Sequence, residues 1–117
     1  MRDNKAWWMG ERGFGEVMKR IREQVRKGLL RFTLHAHQRM VEENVAVDEV
    51  VETLMNRQMV ENYPEHKTEA CCLVCGRTKT GRYVHVVCTT GLDVIVIITV
   101  YEPRKPKWRT PFERARR

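Results

Sequence analysis

Apolar residues first recur with a helical period. Phe14, Val17, Met18, Ile21, Val25 and Leu29 fall on one stripe, and Lys, Arg and Glu fill most positions between them. The spacing predicts a helix that ends near Gly28. A second helix is predicted after Thr33, whose hydroxyl suits an N-cap. It runs through His35 and Arg39 to about Glu43, and Asn44 suits the left-handed residue that closes helices. A third carries Val47, Val50, Val51, Leu54 and Met55 on one face. Asp48 and Glu49 lie in its first turn, where acids favour the dipole.

After Met55 the period changes. Gln58 to Tyr63 reads as a strand closed by Pro64, and residues 65–69 as a loop. Three strand-like runs follow, Ala70 to Thr78, Arg82 to Thr89 and Asp93 to Tyr101. Turns at 79–81 and 90–92 are short enough to make them antiparallel neighbours. Asp93 to Tyr101 is apolar on both faces, which predicts the central strand. Pro103, Pro106 and Pro111 are expected to stop regular structure. The fold class is therefore α+β, with N-terminal helices packed on an antiparallel β-meander. The division is an N-terminal arm (1–12), a single domain (13–102) and a basic tail (103–117).

At 117 residues the chain fits one domain, whose core needs no cofactor to be stable. The longest apolar run, Val94 to Ile98, is too short to span a bilayer, and charge surrounds Trp7 and Trp8, so they do not form a signal-peptide core. The expected location is the cytoplasm, with the four cysteines reduced. Net charge is +7, and its distribution says more than the sum. Residues 1–31 hold nine basic and four acidic residues, and residues 103–117 hold seven and one, leaving the middle mildly acidic. Basic ends attract polyanions through counterion release, and also suit an acidic partner protein.

Four groups of residues are candidates for chemistry. His35 and Arg39 stand one helical turn apart, close enough to serve one anion, although such a pair alone reads as ordinary surface. His85 shares a strand face with Tyr83. A register setting odd against odd positions, such as His85 opposite Ile97, gathers Tyr83, His85, Thr99 and Tyr101 on one surface. Cys71, Cys72 and Cys75 invite a zinc reading, but residues three apart on a strand point to opposite faces, so buried thiols and no metal are expected. In the tail, Trp108 among Lys105, Lys107 and Arg109 suits base stacking between phosphate contacts, or an anchor folded onto the core.

Together these residues are more specific than any one alone. Phe-Thr-Leu-His-Ala-x-x-Arg-Met (32–40), Asn-Tyr-Pro (62–64), Leu-x-x-Gly-Arg (73–77), Arg-x-x-His-Val (82–86) and Ile-Ile-Thr-Val-Tyr-Glu-Pro (97–103), followed by Trp108, resemble a family of small bacterial domains of unknown function. That family looks like a branch of the RelE-like toxins, within the barnase, EndoU, colicin and RelE ribonuclease superfamily. Its members are often encoded beside a zinc-finger, helix-turn-helix antitoxin. The resemblance implies a metal-independent endoribonuclease acting on mRNA without a cofactor, with RNA and an antitoxin protein as partners. His35, Arg39, His85, Thr99 and Tyr101 match its polar motif positions. The chain departs from the pattern in its longer basic N-terminal helix, in Asn44 where glycine is common, and in the Cys71-Cys72 pair.

On that expectation the 2′-hydroxyl of RNA attacks the adjacent phosphate. His35 and His85 share the two proton roles, since imidazole titrates near neutrality. Arg39, with Arg77, holds the phosphate by paired donors, while Thr99 and Tyr101 orient the substrate. Arg77, Arg82, Lys105, Lys107, Trp108 and Arg109 form the expected nucleic-acid contacts. His85→Ala is expected to lower cleavage without unfolding the protein. The alternatives are a non-catalytic RNA-binding module and a protein-interaction domain bound by an antitoxin.

Overall fold

The computed structural model describes residues 15–56, 58–66 and 69–115. The first helix, α1 (15–26), buries Met18 and Ile21 and packs Val17 and Val25 beside them, as the stripe requires. Phe14 and the 1–12 arm lie outside the described residues. Arg20 donates to the carbonyls of Thr90 (2.8 Å) and Leu92 (2.6 Å), which fixes α1 against the turn between the last two long strands. The chain leaves α1 through Gly28 at φ +79, a conformation that glycine adopts without steric cost.

A short strand that the pattern does not announce follows, β1 (Leu30–Phe32). Thr33 ends it and starts the next helix. Its backbone N–H donates to Ile97, its hydroxyl donates to Ile98 (3.1 Å), and the same oxygen accepts from Ala36 N–H (2.9 Å) as the expected N-cap. Helix α2 (Leu34–Glu43) buries Ala36 and Met40 and closes on Asn44 at φ 56, ψ 50, the left-handed cap. Helix α3 (Val47–Asn56) buries Val50, Thr53 and Leu54, and Glu49 in its first turn accepts from Ala46 N–H (3.0 Å).

The remaining long strands are β2 (Gln58–Tyr63), β3 (Cys71–Arg77), β4 (Tyr83–Thr89) and β5 (Ile95–Tyr101). They form one sheet in the order β1-β5-β4-β3-β2. The meander is antiparallel as expected, but β1 adds to β5 in parallel, so the sheet is mixed. The central strand is β4, not β5. The two-sided apolarity of β5 has another cause. Val87 pairs with Thr99 and Cys88 with Ile97, so Ile98 is an extra residue that reverses the alternation. Ile95, Ile97 and Val100 all join the core, while Thr99 and Tyr101 face the other way.

Helix α2 packs on β5, and α3 on β3 and β4. The core between helices and sheet is built from Ile21, Val50, Leu54, Val74, Val84, Val86 and Val100. Among the described residues no helix is long and apolar enough to cross a membrane. The second face of the sheet is covered by the segment expected to be an irregular tail. Its prolines do not end regular structure. Two short strands, β6 (Trp108–Thr110) and β7 (Glu113–Arg114), form a hairpin that lies on β4 and β5 and buries Trp108 to 2% exposure. Pro111 sits in the turn, where a missing N–H costs no ladder bond.

Candidate functional site

Beneath that hairpin lies His85. Its partner across the ladder is Tyr101 rather than Ile97, but odd still faces odd, so Tyr83, His85, Thr99 and Tyr101 share a face as expected. The imidazole is 0% exposed. The Trp108 ring stands edge-on at 4.5 Å and the Tyr101 ring at 5.2 Å. Nε2 lies 2.6 Å from the Pro111 carbonyl, which can only accept, so Nε2 carries the proton. Nδ1 is then a bare acceptor, and the Tyr101 hydroxyl 3.3 Å away donates to it. Burial drives the pKa of His85 below its ordinary value. The Pro111 carbonyl and Glu61 oppose the shift, and Arg114 adds to it. The ring is neutral at neutral pH.

This has a consequence for stability. In the unfolded chain His85 takes up a proton near its ordinary pKa of 6.5, while in the fold it resists until lower pH. The stability contributed by burying the neutral ring is present above that value and is lost as pH falls toward the folded one. The thermal midpoint is expected to drop as pH falls below about 6.5, and His85→Gln should flatten that slope in scanning calorimetry.

A clasp holds the hairpin in place. Arg114 grips Glu61 with two hydrogen bonds (2.6 and 3.0 Å), and its guanidinium covers the Trp108 ring at 4.7 Å. The Tyr63 hydroxyl donates to the same carboxylate. The Arg114 bonds hold the carboxyl of Glu61 below the usual range against its burial, and Tyr63 adds to the effect. The indole N–H of Trp108 makes no hydrogen bond of ordinary geometry, although it lies near enough to the Tyr101 hydroxyl to oppose the rise that burial gives that group.

Where the hairpin meets α2, a pocket of about 280 Å³ opens. It is lined by Arg39, Tyr101, Glu102, Arg104, Lys105, Lys107 and Trp108. Arg39 is paired with Glu42 (2.8 Å) and Glu43 (3.3 Å), and Arg104 with Glu43 (2.9 Å) and Glu102 (3.1 Å). Glu43 accepts the Glu102 N–H as well. Burial would raise its pKa, but the Glu102 N–H and the two guanidinium groups outweigh it and lower it. Four cations thus line the pocket against three carboxylates, Glu102 on its wall and Glu42 and Glu43 paired with its arginines. One helical turn from Arg39, His35 is exposed and places Nε2 3.1 Å from the Thr99 hydroxyl. Thr99 stands on the same face of β5 as Tyr101, roughly 6.6 Å along the strand.

The structure therefore gathers Arg39, Tyr101, Lys105, Lys107 and Trp108 around one pocket and sets His35 and Thr99 at the adjoining stretch of the same seam. The two imidazoles share no open surface, because His85 is sealed behind Tyr101 and Trp108. Because the ring is buried with both nitrogens bonded, His85→Ala is expected to cost stability as well as any activity. Arg82 serves the architecture, donating to the Glu43 and Asn44 carbonyls and pairing with Glu49 at 3.2 Å. Arg77 lies at the far end of the face, 5.6 Å from the Tyr83 ring, and Arg109 pairs with Glu113 on the outside of the hairpin. All four cysteines are buried thiols. Cys72 lies in the core 4.0 Å from Cys88, whereas Cys75 stands opposite His85, so the sulfurs diverge as alternation requires. No group of metal-binding side chains occurs among the described residues. Glu61, Arg104 and Arg114 belong to this region but carry no local signal, since the pairs that bring them here, Arg114 with Glu61 and Arg104 with Glu43, join residues 53 and 61 positions apart.

A family model, that of a domain of unknown function (DUF4258), matches residues 32–102. The chain belongs to the DUF4258 family. No curated protein and no solved structure matches it. The match bears out the resemblance at the level of a small domain of unknown function. It runs from Phe32, just before the cap of α2, to Glu102 on the pocket wall. In this DUF4258 chain the hairpin that seals His85, with Lys105 and Lys107 just ahead of it, lies beyond the matched segment.

Proposed function

We propose that this chain is a metal-independent endoribonuclease of the RelE-like toxin kind, acting on mRNA in the cytoplasm and held in check by an antitoxin protein of the zinc-finger, helix-turn-helix type. The observation that carries this reading is the pocket in which Arg39, Arg104, Lys105 and Lys107 surround the Tyr101 ring, with His35 on the same seam. A phosphodiester in that pocket meets charge on several sides, which favours the extra negative charge of a pentacoordinate transition state. His35 takes the proton from the 2′-hydroxyl as that oxygen attacks phosphorus. The bond to the 5′-oxygen breaks, and that oxygen takes its proton from solvent, since the Tyr101 hydroxyl commits its own to His85. The products are a 2′,3′-cyclic phosphate and a free 5′-hydroxyl. His85 does not touch the substrate in this scheme. It is a positioning residue that fixes the Tyr101 ring through Nδ1.

One observation favours a second reading. With both nitrogens engaged and no exposure, His85 supplies no proton to a ligand, which suits a non-catalytic RNA-binding or antitoxin-bound module. Incubating the protein with a defined RNA in the presence of a chelator separates the two. Cyclic-phosphate ends at mapped positions are expected. Salt-sensitive RNA binding without any product would establish the second reading instead.

A further inference from the structure

The seam of His35 and Arg39 continues toward β1. Arg31 stands four positions before His35 and eight before Arg39. It is the middle residue of β1, whose Leu30 and Phe32 pack against the core, so alternation sends Arg31 to the hairpin face of the sheet. Its partner across the parallel ladder is Val96, which alternates in the same way between the buried Ile95 and Ile97.

The bulge in β5 makes this one surface. In an unbroken strand the even-numbered Val96 and the odd-numbered Thr99 and Tyr101 would face opposite sides. The extra residue Ile98 shifts the parity once, so all three share the face opposite the helices. Arg31, His35 and Arg39 therefore line one edge of that face in order. Arg31 flanks Val96, His35 bonds to Thr99 (3.1 Å), and Arg39 meets Tyr101 at the pocket. At most about 10 Å of strand separates Val96 from Thr99, and about 6.6 Å separates Thr99 from Tyr101. Arg31 and His35 are exposed, and β1 is the edge strand, so no further strand of the sheet lies beyond Arg31. His85, on β4, lies on the inner side of Tyr101 and off this row. Among the described residues Arg31 makes no ion pair. Asp93, three positions before Val96, is engaged with Arg20 (3.7 Å).

We propose that Arg31 holds a second phosphate of the RNA, on the 5′ side of the ribose whose 2′-hydroxyl attacks. The proposal rests on the cleavage reading above and adds a direction to it. The attacking hydroxyl lies on the ribose that precedes the scissile phosphate. With that phosphate in the Arg39 pocket and that hydroxyl at His35, the line from Arg39 through His35 runs toward the 5′ end. A phosphate further along it comes to Arg31, whose planar fork suits it. Charge on an edge strand also deters strand pairing, but that role alone has no effect on RNA.

A DNA oligonucleotide with a single ribose tests the direction, because only that sugar carries a 2′-hydroxyl and so fixes the register. One version is extended on the 5′ side of the ribose. The other begins at the ribose, with no phosphate before it, and is extended on the 3′ side. Arg31→Gln should lower kcat/KM about tenfold on the first, leave the second unchanged and keep the melting temperature. Lys79→Gln, an equal loss of charge in the β3–β4 turn, should change neither rate. Fluorescence anisotropy on an uncleavable all-deoxy strand gives a second reading. Losing one phosphate contact should reduce the slope of log affinity against log salt by about 0.7. Equal losses on the two strands, or none on either, overturn the proposal while the cleavage reading stands. If neither strand is cut, the cleavage reading falls and the salt slope decides for Arg31. A smaller slope in Arg31→Gln then upholds the phosphate contact, and an unchanged slope overturns it.

Discussion

Replacing His35 by alanine is expected to lower RNA cleavage by about 10²- to 10⁴-fold while leaving stability within about 0.5 kcal/mol of the parent. The ring is exposed on the first turn of α2, and its one hydrogen bond is to the Thr99 hydroxyl, so its removal opens no cavity. What is removed, on the proposed reading, is the group that takes the 2′-proton. The lower bound corresponds to roughly 2.7 kcal/mol of transition-state stabilisation. Single-turnover cleavage of a defined RNA measures it, and added imidazole should restore part of the rate. Arg39→Lys makes a second arm. It keeps the charge but loses the planar fork, so the rate should fall while RNA affinity falls less. An undiminished rate in His35→Ala would remove the proton role from this histidine, and with it the seam as a site of cleavage.

What the sequence made legible is what depends on near neighbours. The Thr33 cap, the Asn44 closure, the apolar stripes and the parity of His85 and Tyr101 are set within a few residues, and the structure follows them. What it concealed depends on distant pairing. β1 is three residues long with Arg31 in the middle, and only its parallel alignment with Ile95–Ile97 makes it a strand. The bulge at Ile98 turned an ordinary alternation into an apparently two-sided apolar strand, and so suggested the wrong centre for the sheet. The largest departure is the hairpin. The three prolines and seven cations of residues 103–117 read as an unstructured basic tail, because the groups that hold the hairpin back, Glu61 and His85, belong to other strands. The same event moved His85 from an open face into the interior. The site changed with it, from two facing histidines to one histidine beside a cationic pocket. Parts of that pocket, Arg39, Tyr101, Lys105, Lys107 and Trp108, are nonetheless legible as candidates in the sequence.

The hairpin should therefore be the most sensitive element of the molecule, and Trp108→Ala its most damaging single change. The indole is buried to 2%, packs edge-on against His85 and lies under Arg114. Truncating a buried tryptophan typically costs about 3–5 kcal/mol through lost transfer energy and the cavity left behind, a large share of the total for a chain of this size. The unpaired indole N–H softens that figure toward its lower end, since the variant no longer buries an unsatisfied donor. Urea denaturation gives the magnitude, and a second reading shows where the loss occurs. Burial is the largest cause of the depressed pKa of His85, so loosening the cover must raise it back toward 6.5, visible as an upward shift in the NMR titration of its ring protons. If the proposed cleavage holds, it should fall in parallel, because Lys105 and Lys107 line the pocket beside Trp108. Arg109→Ala, on the outer face of the same hairpin, should change none of the three. A Trp108→Ala protein with unaltered stability and an unaltered His85 titration would mean that the hairpin does not cover the sheet in solution, and the pocket it helps to build would go with it.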